Sequence, residues 1–127
     1  MNYEGGCFCG AIRYTFNAQD VPAADCHCSM CRKISGAPYV SWLVVPMDDF
    51  KYTKGTPKQL NSSDTGRRFF CEHCGTPVTC FTEAHPEVMD VTIGSMDNPE
   101  AFTPVHTVHE DTKLSFVVTH ALNQSPS

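Results

Sequence analysis

Eight cysteines in 127 residues constrain this chain more than any other feature, because seven of them fall into three tight clusters. The clusters read Cys7-Phe8-Cys9-Gly10, Cys26-His27-Cys28-Ser29-Met30-Cys31 and Cys71-Glu72-His73-Cys74-Gly75. A CxxC turn brings two sulfurs to one side of the backbone, where both reach a tetrahedral ion at Zn–S distances of about 2.3 Å. A glycine straight after the second cysteine eases such a turn, since it accepts positive φ without steric cost. Clusters one and three complement each other, which makes Cys7, Cys9, Cys71 and Cys74 a four-cysteine set for a structural zinc clamping distant strand ends. The middle cluster, Cys26, Cys28 and Cys31, offers three sulfurs and leaves the fourth position of a tetrahedral ion to fill. Water or substrate there makes the site catalytic; a protein ligand makes it structural. Two zinc ions per chain are expected.

Cys80, His27 and His73 are the protein groups that could close the second site. Cys80 follows Val78 in a strand-like alternation, which reads as a buried free thiol. His27 stands between two ligands and should point away. A thioredoxin-like pair at Cys71 and Cys74 would need a βαβ context, which the chain lacks. Disulfides are the remaining alternative. Met1 to Gly6 has neither a basic start nor an apolar run, so no signal peptide is expected and the expected compartment is the cytoplasm, where thiols stay reduced.

The net charge of −5 argues against nucleic acid as a partner, since phosphate binding needs a basic face. The longest apolar stretch, Trp42 to Pro46, is too short to cross a bilayer, so no membrane association is expected. Nine prolines and eight glycines favour short strands and turns over long helices. Ile12, Tyr14 and Phe16 alternate with Arg13 and Thr15, the pattern of a half-buried strand. Further strands are expected at Pro38–Val45, Phe50–Thr53, Arg68–Phe70, Pro77–Phe81, Val88–Ile93 and Leu114–Thr119. Helix is limited to a turn or two around Ser29–Ile34, ended by Gly36 and Pro38. The chain therefore reads as all-β, with cysteine-bearing loops between short strands. Residues 1–122 form one domain, and 123–127 a frayed tail.

The motifs GxCxCG (Gly5 to Gly10), CxCxxCRKxxGA (Cys26 to Ala37) and RxFCxxCGxP (Arg68 to Pro77) resemble those of the glutathione-dependent formaldehyde-activating enzyme family, which also includes centromere protein V (CENP-V/GFA). The segment Val91 to Pro99 is similar to the family's strand ending in a Leu/Met-Asp-x-Pro turn. Where the family tends to carry a His-x-Trp segment, this chain has Val105-His106-Thr107-Val108-His109. The resemblance implies a zinc-stapled β-tent of short antiparallel strands, with Cys7, Cys9, Cys71 and Cys74 on the structural zinc. It implies a second, catalytic zinc on Cys26, Cys28 and Cys31. The implied activity is that of a carbon–sulfur lyase, joining formaldehyde to the thiol of glutathione to give S-hydroxymethylglutathione.

Two other uses of the same residues stand beside that expectation. A non-enzymatic zinc module would use both ions only as staples, and a zinc hydrolase of imines or thioesters would use the open position for water. Arg32, Lys33, Arg67 and Arg68 flank the clusters and are candidates for binding substrate carboxylates, or else solvated charges. His106, His109 and His120 are candidate acids or bases, or else polar surface. Trp42 and Tyr39 either line a pocket or pack the core.

Overall fold

The computed structural model of the chain describes residues 1–119. Along it come β1 (Asn2–Gly6), β2 (Arg13–Asn17), β3 (Ala23–Cys26), α1 (Ser29–Ser35), β4 (Val40–Pro46), β5 (Phe50–Lys54), β6 (Lys58–Asn61), β7 (Gly66–Phe70), β8 (Pro77–Thr82), β9 (Val88–Thr92) and β10 (His106–Val108). The strands make two sheets, one of three strands in the order β1-β2-β5 and one of seven in the order β10-β3-β4-β9-β8-β7-β6. This is the expected all-β architecture with little helix. Pairing is antiparallel except at one edge, where β10 runs parallel to β3 and opposes Val108 to Cys26.

The alternation of β2 shows why the sheets pack. Ile12, just before the strand, and its Tyr14 and Phe16 are buried and meet Leu43 and Val45 of β4 and Met89 and Val91 of β9 in one core. Phe16 and Phe50 stack at 6.4 Å, and Tyr52 of β5 hydrogen-bonds the Thr79 hydroxyl of β8 at 2.6 Å, tying the small sheet to the large one. Arg13 and Asp97 add a surface ion pair between β2 and the segment after β9.

Two glycines in β1 record how closely the chain approaches itself. A Cβ on Gly5 would lie 2.7 Å from the carbonyl oxygen of Ser95, and closer still to the Tyr14 hydroxyl. That hydroxyl is held by Ser95 Oγ at 2.8 Å.

One expected strand is absent. Leu114–Thr119 forms a turn, closed by the Val117 N–H on the Leu114 carbonyl at 3.1 Å and by Lys113 Nζ on the Val117 carbonyl at 2.8 Å. Phe116 and Val118 face solvent, so the apolar run finds neither a sheet edge nor a core. His120 and the tail at 123–127 lie outside the described residues. Among the described residues no helix is long and apolar enough to cross a membrane.

Gly5→Ala should destabilise the fold by about 1–3 kcal/mol through overpacking against Tyr14 and Ser95. Equilibrium denaturation of the two proteins checks this; equal midpoints would mean that the β1 backbone can move aside.

Candidate metal centres

The first sulfur group is assembled from two hairpin loops. Cys7 and Cys9 sit in the loop from β1 to β2, and Cys71 and Cys74 in the loop from β7 to β8. Each loop folds back on itself through a glycine N–H that reaches its first cysteine. Gly10 N–H reaches the Cys7 carbonyl at 3.2 Å, and Gly75 N–H reaches the Cys71 carbonyl at 2.8 Å. Gly10 has φ of 83° and Gly75 of 82°, the left-handed region that favours glycine. The Phe8 N–H donates to Thr76 Oγ1 at 3.1 Å and ties one loop to the other.

All four sulfurs then lie within 4.8 Å of one another. The Sγ–Sγ separations are 3.7 Å for Cys7–Cys9 and 3.7 Å for Cys9–Cys71. Tetrahedral coordination at about 2.3 Å per sulfur requires sulfur–sulfur edges of about 3.8 Å, so the donor set fits a metal ion of that size. Hydrogen bonds from the hydroxyl and backbone N–H of Thr76 help hold the Cys74 thiol down, at about 5, which favours the thiolate that binds metal.

The second group is local. Cys26 ends β3, Cys28 is the N-cap of α1, and Cys31 lies in the first turn of the helix. The Cys28 sulfur accepts the Cys31 N–H at 3.2 Å, so one ligand candidate is also the cap that starts the helix. Gly36, at φ of 67°, stops the helix where expected and donates to the Arg32 carbonyl at 2.9 Å. Cys26, Cys28 and Cys31 lie within 4.8 Å of one another, with 3.5 Å between the Cys26 and Cys31 sulfurs. The hydrogen bond shared by those two sulfurs pulls Cys31 down to about 4, with help from Arg68, and the same bond drives Cys26 in the opposite direction.

No fourth His, Cys, Asp or Glu among the described residues joins this group. Cys80 packs nearby, but its thiol donates to Asp90 Oδ2 at 3.7 Å. Burial, reinforced by the Asp90 charge, pushes that thiol up, and burial pushes the Asp90 carboxyl up to about 6. His27 is almost fully buried and packs against Tyr39 with the rings tilted and their centroids 4.9 Å apart. Neither of its ring nitrogens has a hydrogen-bond partner among the described residues, and burial lowers its pKa below the ordinary histidine value. His73 stays with the first group's loop.

The flanking cations separate clearly. Arg68 Nη2 donates to Cys31 Sγ at 3.5 Å, and its guanidinium lies 5.9 Å from the Trp42 ring centroid. Arg67 is used in the β6–β7 turn, on the Ser63, Asp64 and Gly66 carbonyls and on Glu83. Arg32 reaches the Thr112 carbonyl at 3.3 Å, and with Lys33 it stands in the last turn of α1, where cations suit the helix dipole. His106 lies in exposed β10, and His109 precedes a short 3-10 turn; neither reaches the sulfurs. Trp42 is buried in one cluster with Cys26 and Cys31.

Sequence reasoning missed Asp90. The register opposes Arg68 to Cys80 and Cys80 to Asp90, so these three form one cross-strand row over β7, β8 and β9. Its one sequence signal is a carboxylate inside the otherwise apolar run Val88-Met89-Asp90-Val91.

The sequence profile described as glutathione-dependent formaldehyde-activating enzyme matches residues 2–112. An uncharacterized lyase of Schizosaccharomyces pombe is 30% identical over 74 residues, 58% of this chain and 53% of that protein, so the match spans about half the length of this relative. A Halomonas elongata protein named as a putative glutathione-dependent formaldehyde-activating enzyme is 27% identical over 121 residues, covering 87% of this chain and 77% of that protein. The crystal structure of a Rhodobacter sphaeroides protein, a structural-genomics target, superposes with a TM-score of 0.63 at 23% identity, covering 83% of this chain and 99% of that one, a likeness of fold.

The two sulfur groups should differ in what they hold together. Cys74→Ser breaks a group that joins two hairpin loops and should cost at least about 3 kcal/mol of stability, a fraction of what a structural ion contributes. Cys28→Ser breaks a local group and should remove one bound ion while the far-ultraviolet spectrum stays native. Metal analysis with chemical denaturation checks both; equal destabilisation would mean that both groups carry the fold.

Proposed function

Because the chain belongs to the glutathione-dependent formaldehyde-activating enzyme family, we propose that it is a zinc enzyme of carbon–sulfur lyase type, joining a small thiol such as glutathione to formaldehyde. The observation that carries this reading is the three-sulfur group of Cys26, Cys28 and Cys31, whose nearby spare cysteine is turned to Asp90 instead. Clustered thiolates suit zinc. Cys26, Cys28 and Cys31 would hold a zinc ion, which would supply Lewis acidity that favours the thiolate form of a substrate thiol at neutral pH. Cys7, Cys9, Cys71 and Cys74 would hold the other zinc, closed on all four sides. The words lyase and formaldehyde-activating in the relatives' names support the reaction class.

The chain's own groups have distinct tasks around that chemistry. Arg68 donates to Cys31 and so offsets the negative charge gathered on three sulfurs. The N-cap bond from Cys31 N–H holds the Cys28 sulfur at the start of α1. Trp42 packs against the group. In the addition the sulfur pair forms the C–S bond and the carbonyl π pair moves to oxygen. That oxygen takes up the proton the thiol gave away. Atoms and electrons balance without an oxidant or reductant.

With zinc-loaded protein, glutathione and 13C-formaldehyde, NMR should show the hydroxymethyl adduct equilibrating at least about tenfold faster than without protein. Cys28→Ser should lose that acceleration. Equal rates with and without the wild-type chain would end the proposal and favour a module in which both ions are staples.

A further inference from the structure

Beside the three-sulfur group the large sheet opens into a cavity of about 330 Å³. Its walls are apolar: Ile34 from α1, Trp42 from β4, Leu60 from β6, Phe69 and Phe70 from β7, and Pro77 from β8. One charged residue lines it, Arg68. Trp42 and Arg68 connect the cavity to the sulfurs. Trp42 packs in one buried cluster with Cys26 and Cys31, and Arg68 lies over the Trp42 ring while one N–H rests on Cys31 Sγ. A guanidinium has five N–H donors, so others remain for a ligand.

The cavity does not match the substrates already considered. Formaldehyde has two heavy atoms and would leave it nearly empty. Glutathione carries two carboxylates and an ammonium; Arg68 could meet one carboxylate, but walls of Ile, Trp, Leu and Phe give the other charged groups no partners while stripping their water. An apolar group the size of a phenylalanine side chain, moved from water into such walls, gains roughly tenfold to a hundredfold in affinity. The one cation sits where such a group would meet the sulfurs.

We propose that this cavity binds an aryl or branched-alkyl group, and that this chain prefers aldehydes carrying one, with Arg68 donating to the carbonyl oxygen. The preference for such aldehydes rests on the thiol-addition reading above. The reaction is then the addition of a thiol to R–CHO. The sulfur bonds the carbonyl carbon, the π pair moves to oxygen, and the oxygen takes the thiol proton, giving a hemithioacetal.

Trp42 is the single tryptophan of the chain, so its fluorescence reads the cavity without reference to turnover. Titration of the zinc-loaded full chain with benzyl alcohol, an unreactive aryl probe, should change that fluorescence saturably, and methanol should not. Leu60 lies on an edge strand and is 41% exposed; Leu60→Glu should weaken benzyl alcohol binding at least about tenfold. The same variant should lower the ratio of kcat/KM for benzaldehyde over formaldehyde at least about tenfold, with one thiol throughout. Ile34→Glu makes the same test from α1 should the first variant not fold. Absence of saturation in the wild type, or equal affinity in a folded, metal-loaded variant, would overturn the inference. Formaldehyde turnover without benzyl alcohol binding removes the cavity's role and leaves the thiol-addition reading standing. Saturable binding with turnover of neither aldehyde does the reverse, supporting the apolar site and removing the reaction.

Discussion

Four sulfurs brought together from two hairpin loops set the geometry on which the rest of this structure depends. Cys7 and Cys9 sit in a hairpin loop of the three-stranded sheet and Cys71 and Cys74 in one of the seven-stranded sheet, and all four sulfurs lie within 4.8 Å of one another. As thiolates they would repel strongly at that spacing, so a dication at their centre is the natural balance. The contact fixes how the sheets face each other at one end of the core. Tyr14, Phe16, Leu43, Val45 and Val91 then fill the space between them.

The second sulfur group depends on that framework without bridging it. It occupies the end of β3 and the first turn of α1, and a helix of seven residues has little stability of its own. Its position comes from neighbours on the large sheet. Val108 of β10 accepts the His27 N–H at 3.0 Å, Thr112 Oγ1 donates to the His27 carbonyl at 2.8 Å, and Arg68 arrives from β7. The site is thus local in its ligands and tertiary in its surroundings.

That division explains what could be read in the sequence. Cysteine spacing is local, so both sulfur groups were visible, as were the positive-φ glycines at positions 10 and 75 and the helix stop at Gly36. Strands with alternating or continuous apolar residues, such as β2, β4 and β9, were visible for the same reason. β6 was not, because Lys58–Asn61 is an edge strand exposed at every position and carries no burial pattern. β1 was hidden by Gly5 and Gly6, whose missing side chains reflect close approach to Tyr14, Ser95 and Ile12. β10 pairs through a long return of the chain, which no local pattern announces. Leu114–Thr119 failed in the opposite sense, being apolar enough for a strand but without an edge to join.

Asp90 and the cavity were unreadable for a different reason, and it bears on why the second group stays at three sulfurs. Both arise from register. Placing Arg68 opposite Cys80 and Cys80 opposite Asp90 lines up a cation, a thiol and a carboxylate on three successive strands. The row gives the spare cysteine a partner of its own, for its thiol donates to Asp90. A thiol engaged as a donor and held protonated by burial is a poor competitor for a metal, since the thiolate is the ligand form. Arg68 meanwhile donates to Cys31 and lines the cavity. A one-residue slip of β8 would exchange Cys80 for Thr79 or Phe81 and dissolve the row. The strand pairing that builds the large sheet therefore also keeps the fourth cysteine away from the three.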